Sequence, residues 1–352
     1  MFSQPSGTRF CLLVISGILI LTLCVTAAGP LPTALSDTEF WSLIERISEP
    51  DGYFQSNSGS TDNLLSNENG LSTAATALSM RPKGSGVYLG VGPEQNFTYI
   101  AAMRPRIAFI TDIRRGNMLL HLMYKALFET SANRDEFAAR LFNRKRPAGL
   151  TTRSTGRELM SAYLRAEPAG EAAFNTNLKS ITDHLTRTHR FSLSPGDLEG
   201  IKYVYENFRR FGPAINYTSS INGGFRGETY ASLMATTDGT GAERSYLASE
   251  DSFTFVKNME TRNLIVPVVG DFAGPKALRA VGSFLKDHGA TVTAFYVSNV
   301  EDYLQRNGVW PRFCANVAAL PLDPESVFIR LNGGRSALFS PMAAETAGCA
   351  AK

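Results

Sequence analysis

The sequence has little cysteine, little histidine and little net charge. Among 352 residues there are four cysteines and four histidines, and the formal charge at pH 7 is +3. Cys11 and Cys24 lie in an apolar N-terminal run, so Cys314 and Cys349 are the only thiols beyond it. Two cysteines exclude a disulfide-based scaffold, although they could pair and tie down the C-terminal tail in an oxidising compartment. So small a charge gives no reason to expect a nucleic-acid partner.

Two catalytic patterns are also missing from the sequence. The histidines do not have the spacing of metal ligands, so we predict no metal site; they are His121, His184, His189 and His288. No Gly-x-Ser-x-Gly motif is present, and no histidine follows a plausible nucleophile in a recognisable pattern. A hydrolase is therefore the weakest of the enzyme classes that we consider.

Long hydrophobic runs are absent except at the N-terminus. Arg9 precedes an apolar run at residues 11–24, which small residues follow at positions 25–29. This layout predicts a secretory signal peptide over residues 1–28. An uncleaved membrane anchor is the alternative, because residues 11–28 together are just long enough to cross a bilayer. In both cases the remaining chain is predicted to be exported, periplasmic or extracellular, with membrane contact only through this segment.

The central feature of the sequence is residues 86–129. A short apolar strand at 87–91 is followed by a turn with Gly90 and Gly92, and a helix begins at Pro93. A second strand, 106–111, ends at Asp112, twenty positions after Gly92. An acid at this place can accept hydrogen bonds from a ribose. The stretch therefore predicts a mononucleotide-binding strand-helix-strand unit.

Polar side chains gather near these strand ends. Glu94, Gln95 and Asn96 follow the turn, and Gln95 replaces the third glycine of the dinucleotide fingerprint. A purely structural turn without a ligand is the alternative. The polar segment 49–70 precedes the first strand. Four of its residues either cover a ligand as a lid or belong to a solvated connection, namely Asp62, Asn63, Asn67 and Glu68.

The remaining chain predicts one α/β domain over residues 37–335 with a C-terminal tail, 336–352. Residues 130–241 predict a helical insertion. Predicted strands follow at 245–248, at 264–269 before Asp271, and at 291–297 before Ser298 and Asn299. Segments 313–317 and 327–331 predict a closing antiparallel hairpin. The expected fold is a doubly wound, mostly parallel Rossmann-like sheet.

This order of parts resembles the class I S-adenosylmethionine-dependent methyltransferase fold over residues 86–129 and 246–331. The resemblance implies that Gly90, Gly92 and Glu94, with the neighbouring Gln95 and Asn96, lie against the methionine part of the cofactor. It also implies that Asp112 binds the ribose and that Asp271 is catalytic or orients the substrate. Ser298 and Asn299, at the end of a later predicted strand, are candidate substrate or lid residues. The segments GVGPEQNFTYIAA, VPVVGDFAGPKALRAVG and AFYVSNVEDYL also resemble an uncharacterised bacterial family with N-terminal export signals.

The sequence predicts a chain that binds a small molecule and leaves two alternative functions for it. The first is a methyltransferase-like enzyme that uses S-adenosylmethionine on an unknown acceptor. The second is an exported, non-catalytic binding protein that keeps the nucleotide-binding architecture. The predicted fourth strand lacks the aromatic tetrad of amino-methylating members, and an exported methyltransferase needs a supply of a cofactor made in the cytoplasm.

Overall fold

A computed structural model describes residues 29–54, 62–66, 70–84, 86–221, 227–332 and 336–349. These residues form an α/β structure with one six-stranded sheet. The strands are β1 Val87–Gly90, β2 Ile107–Asp112, β3 Ile265–Val269, β4 Val292–Ser298, β5 Val327–Asn332 and β6 Ser336–Pro341. The helices are α1 Asp37–Ile47, α2 Leu71–Ser79, α3 Gln95–Met103, α4 Arg115–Thr130, α5 Arg134–Phe142, α6 Gly156–Arg165, α7 Glu171–Asp183, α8 Pro195–Phe211, α9 Tyr230–Met234, α10 Glu250–Thr261, α11 Ala277–Asp287, α12 Val300–Arg306, α13 Trp310–Ala318 and α14 Met342–Thr346.

The sheet has the strand order β3-β2-β1-β4-β5-β6. Strands β1 to β5 are parallel to their neighbours, and β6 pairs antiparallel with β5. The chain adds β2 and then β3 on one side of β1, and adds β4 and β5 on the other side. The direction of winding thus reverses between β1 and β4.

The first three strands are mostly apolar because both of their faces are covered. Every residue of β1, β2 and β3 is buried, as is usual for parallel strands between layers of helices. Helices α1 and α4 pack against β3, and α12 packs against β4. One hydrophobic core extends from Leu31 to Met342.

Two predicted strands are wrong. Residues 245–248 form a turn in which the amide of Ala248 donates to the carbonyl of Ser245, so this amide is not available for a strand ladder. Residues 313–317 belong to α13, where Phe313 and Val317 are both buried four positions apart on one helix face. Strand 264–269 is therefore the third strand and not the fourth, and the hairpin consists of β5 and β6.

The flanking segments largely follow the sequence pattern. Residues 130–241 contain α5 to α9, as the prediction of a helical insertion requires. The predicted tail, however, begins with β6 and α14. Cys314 and Cys349 form a disulfide that joins α13 to the chain after α14.

The predicted signal segment, residues 1–28, lies outside the described residues. Within the described ranges, no helix is both long enough and apolar enough to cross a membrane.

Candidate functional site

A cavity of about 370 Å³ lies at the carboxyl ends of β1 to β4. Its volume is in the range of pockets that hold small molecules. Five of the predicted site residues line it, namely Gly92, Asp112, Asp271, Ser298 and Asn299. The strands thus bring together residues that are more than 200 positions apart in the sequence.

The two glycines after β1 have different roles. Gly90 is the last residue of β1 and not part of the turn, and a Cβ there would lie 1.9 Å from Oδ1 of Asn96. Gly92 lies in the turn with φ +75° and lines the cavity. This left-handed backbone favours glycine, because a side chain would be strained there. Of the two, only Gly92 lies where a ligand can approach the backbone.

Asn96 holds this turn together from within the protein. Its Nδ2 donates to the carbonyl oxygens of Val91 at 2.9 Å, Gly92 at 3.2 Å and Pro93 at 2.8 Å. Its Oδ1 accepts from the Tyr88 hydroxyl at 2.8 Å. The side chain is fully buried and bonded within the fold, so Asn96 shapes the site and is not part of the cavity wall.

Glu94 and Gln95 are also buried and support the turn. The backbone N–H of Ser66 donates to the Glu94 carboxyl oxygens at 3.2 and 3.4 Å. The Ser66 hydroxyl donates to Gln95 Oε1, and Gln95 Nε2 donates to the Tyr99 hydroxyl. Burial raises the pKa of Glu94 to about 8. Neither residue lines the cavity, so both support the turn from behind the cavity wall.

Asp112 lies at the tip of β2 and forms a bidentate ion pair with Arg114. Arg114 Nε and Nη2 donate to Asp112 Oδ1 and Oδ2, each at 3.0 Å. The Arg114 backbone N–H also donates to Oδ1 at 3.0 Å. Both side chains are less than a tenth exposed, yet both line the cavity. The carboxylate is therefore held in a fixed orientation at the place predicted for it.

Asp271 follows β3, which is an edge strand of the sheet. It follows the third strand and not the fourth, because residues 245–248 do not form a strand. Its Oδ1 accepts from the Ala273 backbone at 2.9 Å. The loop is fixed by Glu49, whose carboxylate accepts from the backbone N–H groups of Asp271, Lys276 and Ala277 at 2.8 to 3.0 Å. A carboxylate at the N-terminus of α11 suits the positive end of the helix dipole. Asp271 lines the cavity from its β3 side.

Ser298 ends β4 and Asn299 follows it, on the other side of β1 from β2, and both residues line the cavity. Ser298 has φ +52°, and Asn63, which also lines the cavity, has φ +47°. Such backbone is uncommon outside glycine and is often found at functional sites. The predicted lid residues Asn67 and Glu68 lie outside the described residues.

The family to which the chain belongs can be stated from a comparison with known families. The model of the family described as "Domain of unknown function (DUF7790)" matches residues 64–347. The chain belongs to this family. A search of the curated proteins found no match.

In this family member, aromatic side chains that the sequence analysis did not single out form much of the cavity wall. They are Tyr53, Phe54, Tyr217, Phe272, Tyr296 and Tyr303. They come from five separate segments, so no spacing in the sequence reveals them. Arg114 was also missed, although a basic residue two positions after Asp112 is a visible signal. Among the residues that the structure describes, the charged lining consists of Asp112, Asp271 and Arg114, which gives one net negative charge.

Two of the four histidines, His184 and His189, lie together although their spacing in the sequence is not that of metal ligands, and a third, His121, lies next to the cavity turn. His121 contacts the turn after β1, with Nε2 at 2.9 Å from the Gly92 carbonyl oxygen. Burial lowers its pKa to about 4, so the ring is neutral and donates to this oxygen. His184 and His189 meet at Glu129, with Nε2 of each ring 2.6 Å from Oε2 of the carboxylate.

Proposed function

We propose that the chain binds S-adenosylmethionine or a related adenosyl compound in the cavity and is a methyltransferase-like protein with a doubly wound, Rossmann-like fold. The order β3-β2-β1-β4-β5-β6 supports this fold, because the winding reverses between β1 and β4. Open α/β sheets bind ligands in the crevice at this reversal, beyond the carboxyl ends of the strands. The cavity lies there.

The observation that carries the proposal is the position of Asp112 beside Gly92 in the cavity wall. A carboxylate has about four acceptor sites, of which Arg114 and its backbone N–H use three. One site remains for a ribose hydroxyl. Arg114 fixes the carboxylate before the ligand arrives, which reduces the entropy lost on binding.

The charge of the cavity favours a cationic ligand over a phosphorylated one. The lining has one net negative charge, and its only cation among the described residues, Arg114, is paired with Asp112. S-adenosylmethionine has a positively charged sulfonium and no phosphate. The aromatic wall offers ring faces to the adenine and to the sulfonium. A dinucleotide would bring phosphates without an unpaired cation in the wall to receive them.

Isothermal titration calorimetry of the purified protein with S-adenosylmethionine and S-adenosylhomocysteine tests the proposal. Loss of a charged hydrogen bond to the ribose in Asp112→Asn should cost about 1–3 kcal/mol, or roughly 5- to 150-fold in Kd. Asp287→Asn is the matched control, because this exposed acid ends α11 and does not line the cavity. Absence of saturable binding, or equal affinity in Asp112→Asn, would overturn the proposal.

The second candidate is an exported binding protein without a reaction. It is favoured by the finding that Glu94, Gln95 and Asn96 fix the turn, so that fewer polar groups remain to contact a ligand. Asp271→Asn distinguishes the two functions. In an enzyme that uses Asp271 as a base, this variant keeps its affinity for S-adenosylmethionine and loses methyl transfer. In a binding protein, no acceptor is methylated by wild type or variant.

A further inference from the structure

A second cluster of polar side chains lies far from the cavity, at the other end of α4. Glu129 is fifteen residues after Arg114, which corresponds to about 22 Å along a helix that rises 1.5 Å per residue. Beside Glu129 lie His184 and His189, and one ligand atom of each residue lies within 4.8 Å of the other two. The cluster is therefore separate from the proposed adenosyl site.

The three ligand atoms converge on one point. Oε2 of Glu129 lies 2.6 Å from Nε2 of both histidines, and the two Nε2 atoms are 3.2 Å apart. The side chains of Glu129 and His189 are less than a tenth exposed, and that of His184 is 19% exposed. The group is thus mostly buried but reachable from solvent on the His184 side.

A π-helical turn brings the two histidines together. The turn covers His184–Thr188, and the His189 backbone N–H donates to the His184 carbonyl at 3.0 Å, five residues back. In an α-helix, residues five apart point about 140° away from each other around the axis. The wider turn returns both imidazoles to one side. π-turns are rare and frequently occur at functional sites.

Neighbouring groups fix the orientation of the ligands. Asp37 Oδ1 lies 2.7 Å from His189 Nδ1, which directs Nε2 toward the centre of the cluster. The His189 ring stacks on Phe191, with ring centroids 4.9 Å apart. Lys125 Nζ donates to Oε1 of Glu129 at 2.7 Å and leaves Oε2 for the cluster. A carboxylate behind a ligating histidine is the usual outer shell of a metal site.

We propose that Glu129, His184 and His189 bind a divalent first-row transition metal, such as Zn²⁺, through two imidazole nitrogens and one carboxylate oxygen. Two nitrogens and one oxygen suit zinc and its neighbours rather than Ca²⁺ or Mg²⁺, which take oxygen ligands. Three protein ligands leave one position of a tetrahedral ion for water, on the more exposed His184 side. The site is independent of the adenosyl proposal.

Titration of the full, untagged and chelator-treated protein with Zn²⁺ tests the site, with Co²⁺ as the spectroscopic probe. We expect one equivalent to bind and Co²⁺ to give the visible absorption of tetrahedral coordination. Asp37→Asn should weaken binding by about 10- to 100-fold as an outer-shell change. His184→Gln and His189→Gln should weaken it further. His288→Gln is the control, and this variant should bind Zn²⁺ as tightly as wild type does. The His288 ring lies at the end of α11, with Nδ1 2.7 Å from the Phe284 carbonyl oxygen, and it is not part of the cluster.

X-ray absorption at the zinc edge of the wild-type complex needs no variant and covers the case in which a ligand variant does not fold. A first shell with two imidazoles supports the site. No Zn²⁺ binding by wild type, a first shell without imidazole, or undiminished affinity in folded His184→Gln and His189→Gln would overturn the proposal. The cluster would then be an ion-pair network around Glu129.

Discussion

Replacement of Glu94 by glutamine should flatten the dependence of stability on pH. Burial raises the pKa of this carboxyl from 4.5 to about 8 in the folded protein. Between these two values the folded state holds a proton that the unfolded state has released. Stability from this group is thus complete below pH 4.5 and is lost as the pH rises toward 8.

The size of the effect follows from the width of this window. A pKa shift of one unit corresponds to about 1.4 kcal/mol, so the Glu94 shift lowers the free energy of unfolding by roughly 5 kcal/mol across the window. Glutamine is uncharged at every pH in this range and has a similar shape. Its oxygen can still accept from the Ser66 backbone. The free energy of unfolding of Glu94→Gln should therefore not fall across this pH window, and the variant should be more stable than wild type at the upper end of the window.

Urea unfolding followed by circular dichroism at a series of pH values measures this difference. The profile of wild type minus variant isolates Glu94, because distant groups contribute equally to both proteins. Glu260 provides a matched comparison, since burial also raises its pKa to about 8, and Glu260→Gln should remove a similar decrease. Parallel profiles for wild type and Glu94→Gln would refute the reasoning. They would indicate that Glu94 is accessible to solvent or paired with a cation.

Three further predictions concern the strand-end ion pair, the disulfide and export. Asp112→Ala should lower the free energy of unfolding by about 3–5 kcal/mol, because Arg114 stays buried without its Asp112 carboxylate. A second change, Arg114→Met, should recover part of this loss when measured by urea unfolding. Additive effects of the two changes would contradict the pairing. Opening the 35-residue Cys314–Cys349 loop by a double change to serine should cost about 4 kcal/mol in the chain-entropy model; an unchanged urea midpoint would contradict this. Reporters fused after Gly29 should be active outside the cytoplasm, and activity only inside would refute the predicted export.

The sequence predicts the inner sheet well, because four apolar runs are bounded by clear turn signals. Strands β1, β2, β3 and β4 lie within about a residue of the expected positions. The errors occur in short segments. In residues 313–317 the apolar residues fit a strand and one turn of a helix equally well, and only packing decides between the two. The wrong strand at residues 245–248 placed Asp271 after the fourth strand in the prediction, whereas in the structure it follows the third.

The candidate site was predicted where it depends on local spacing and missed where it depends on tertiary contacts. Gly92 and Asp112 follow from a turn and a strand end in one strand-helix-strand unit. Asn96 follows Gly92 by four positions in the sequence, but its three carbonyl partners are visible only once the turn has folded. His184 and His189 are five positions apart, which is no metal spacing in an α-helix. A π-turn, which the sequence does not signal, makes them neighbours.

The disulfide also determines how the edge of the sheet can behave. Strand β6 is an edge strand, and such strands can pair with a second copy of the chain or exchange between copies. Both β5 and β6 lie between Cys314 and Cys349, so the bond encloses the hairpin in a covalent ring. A closed ring has no free end to offer to another molecule. Exchange of β6 between copies therefore requires prior reduction of the bond, which makes monomeric folding of this edge dependent on the redox state of the compartment.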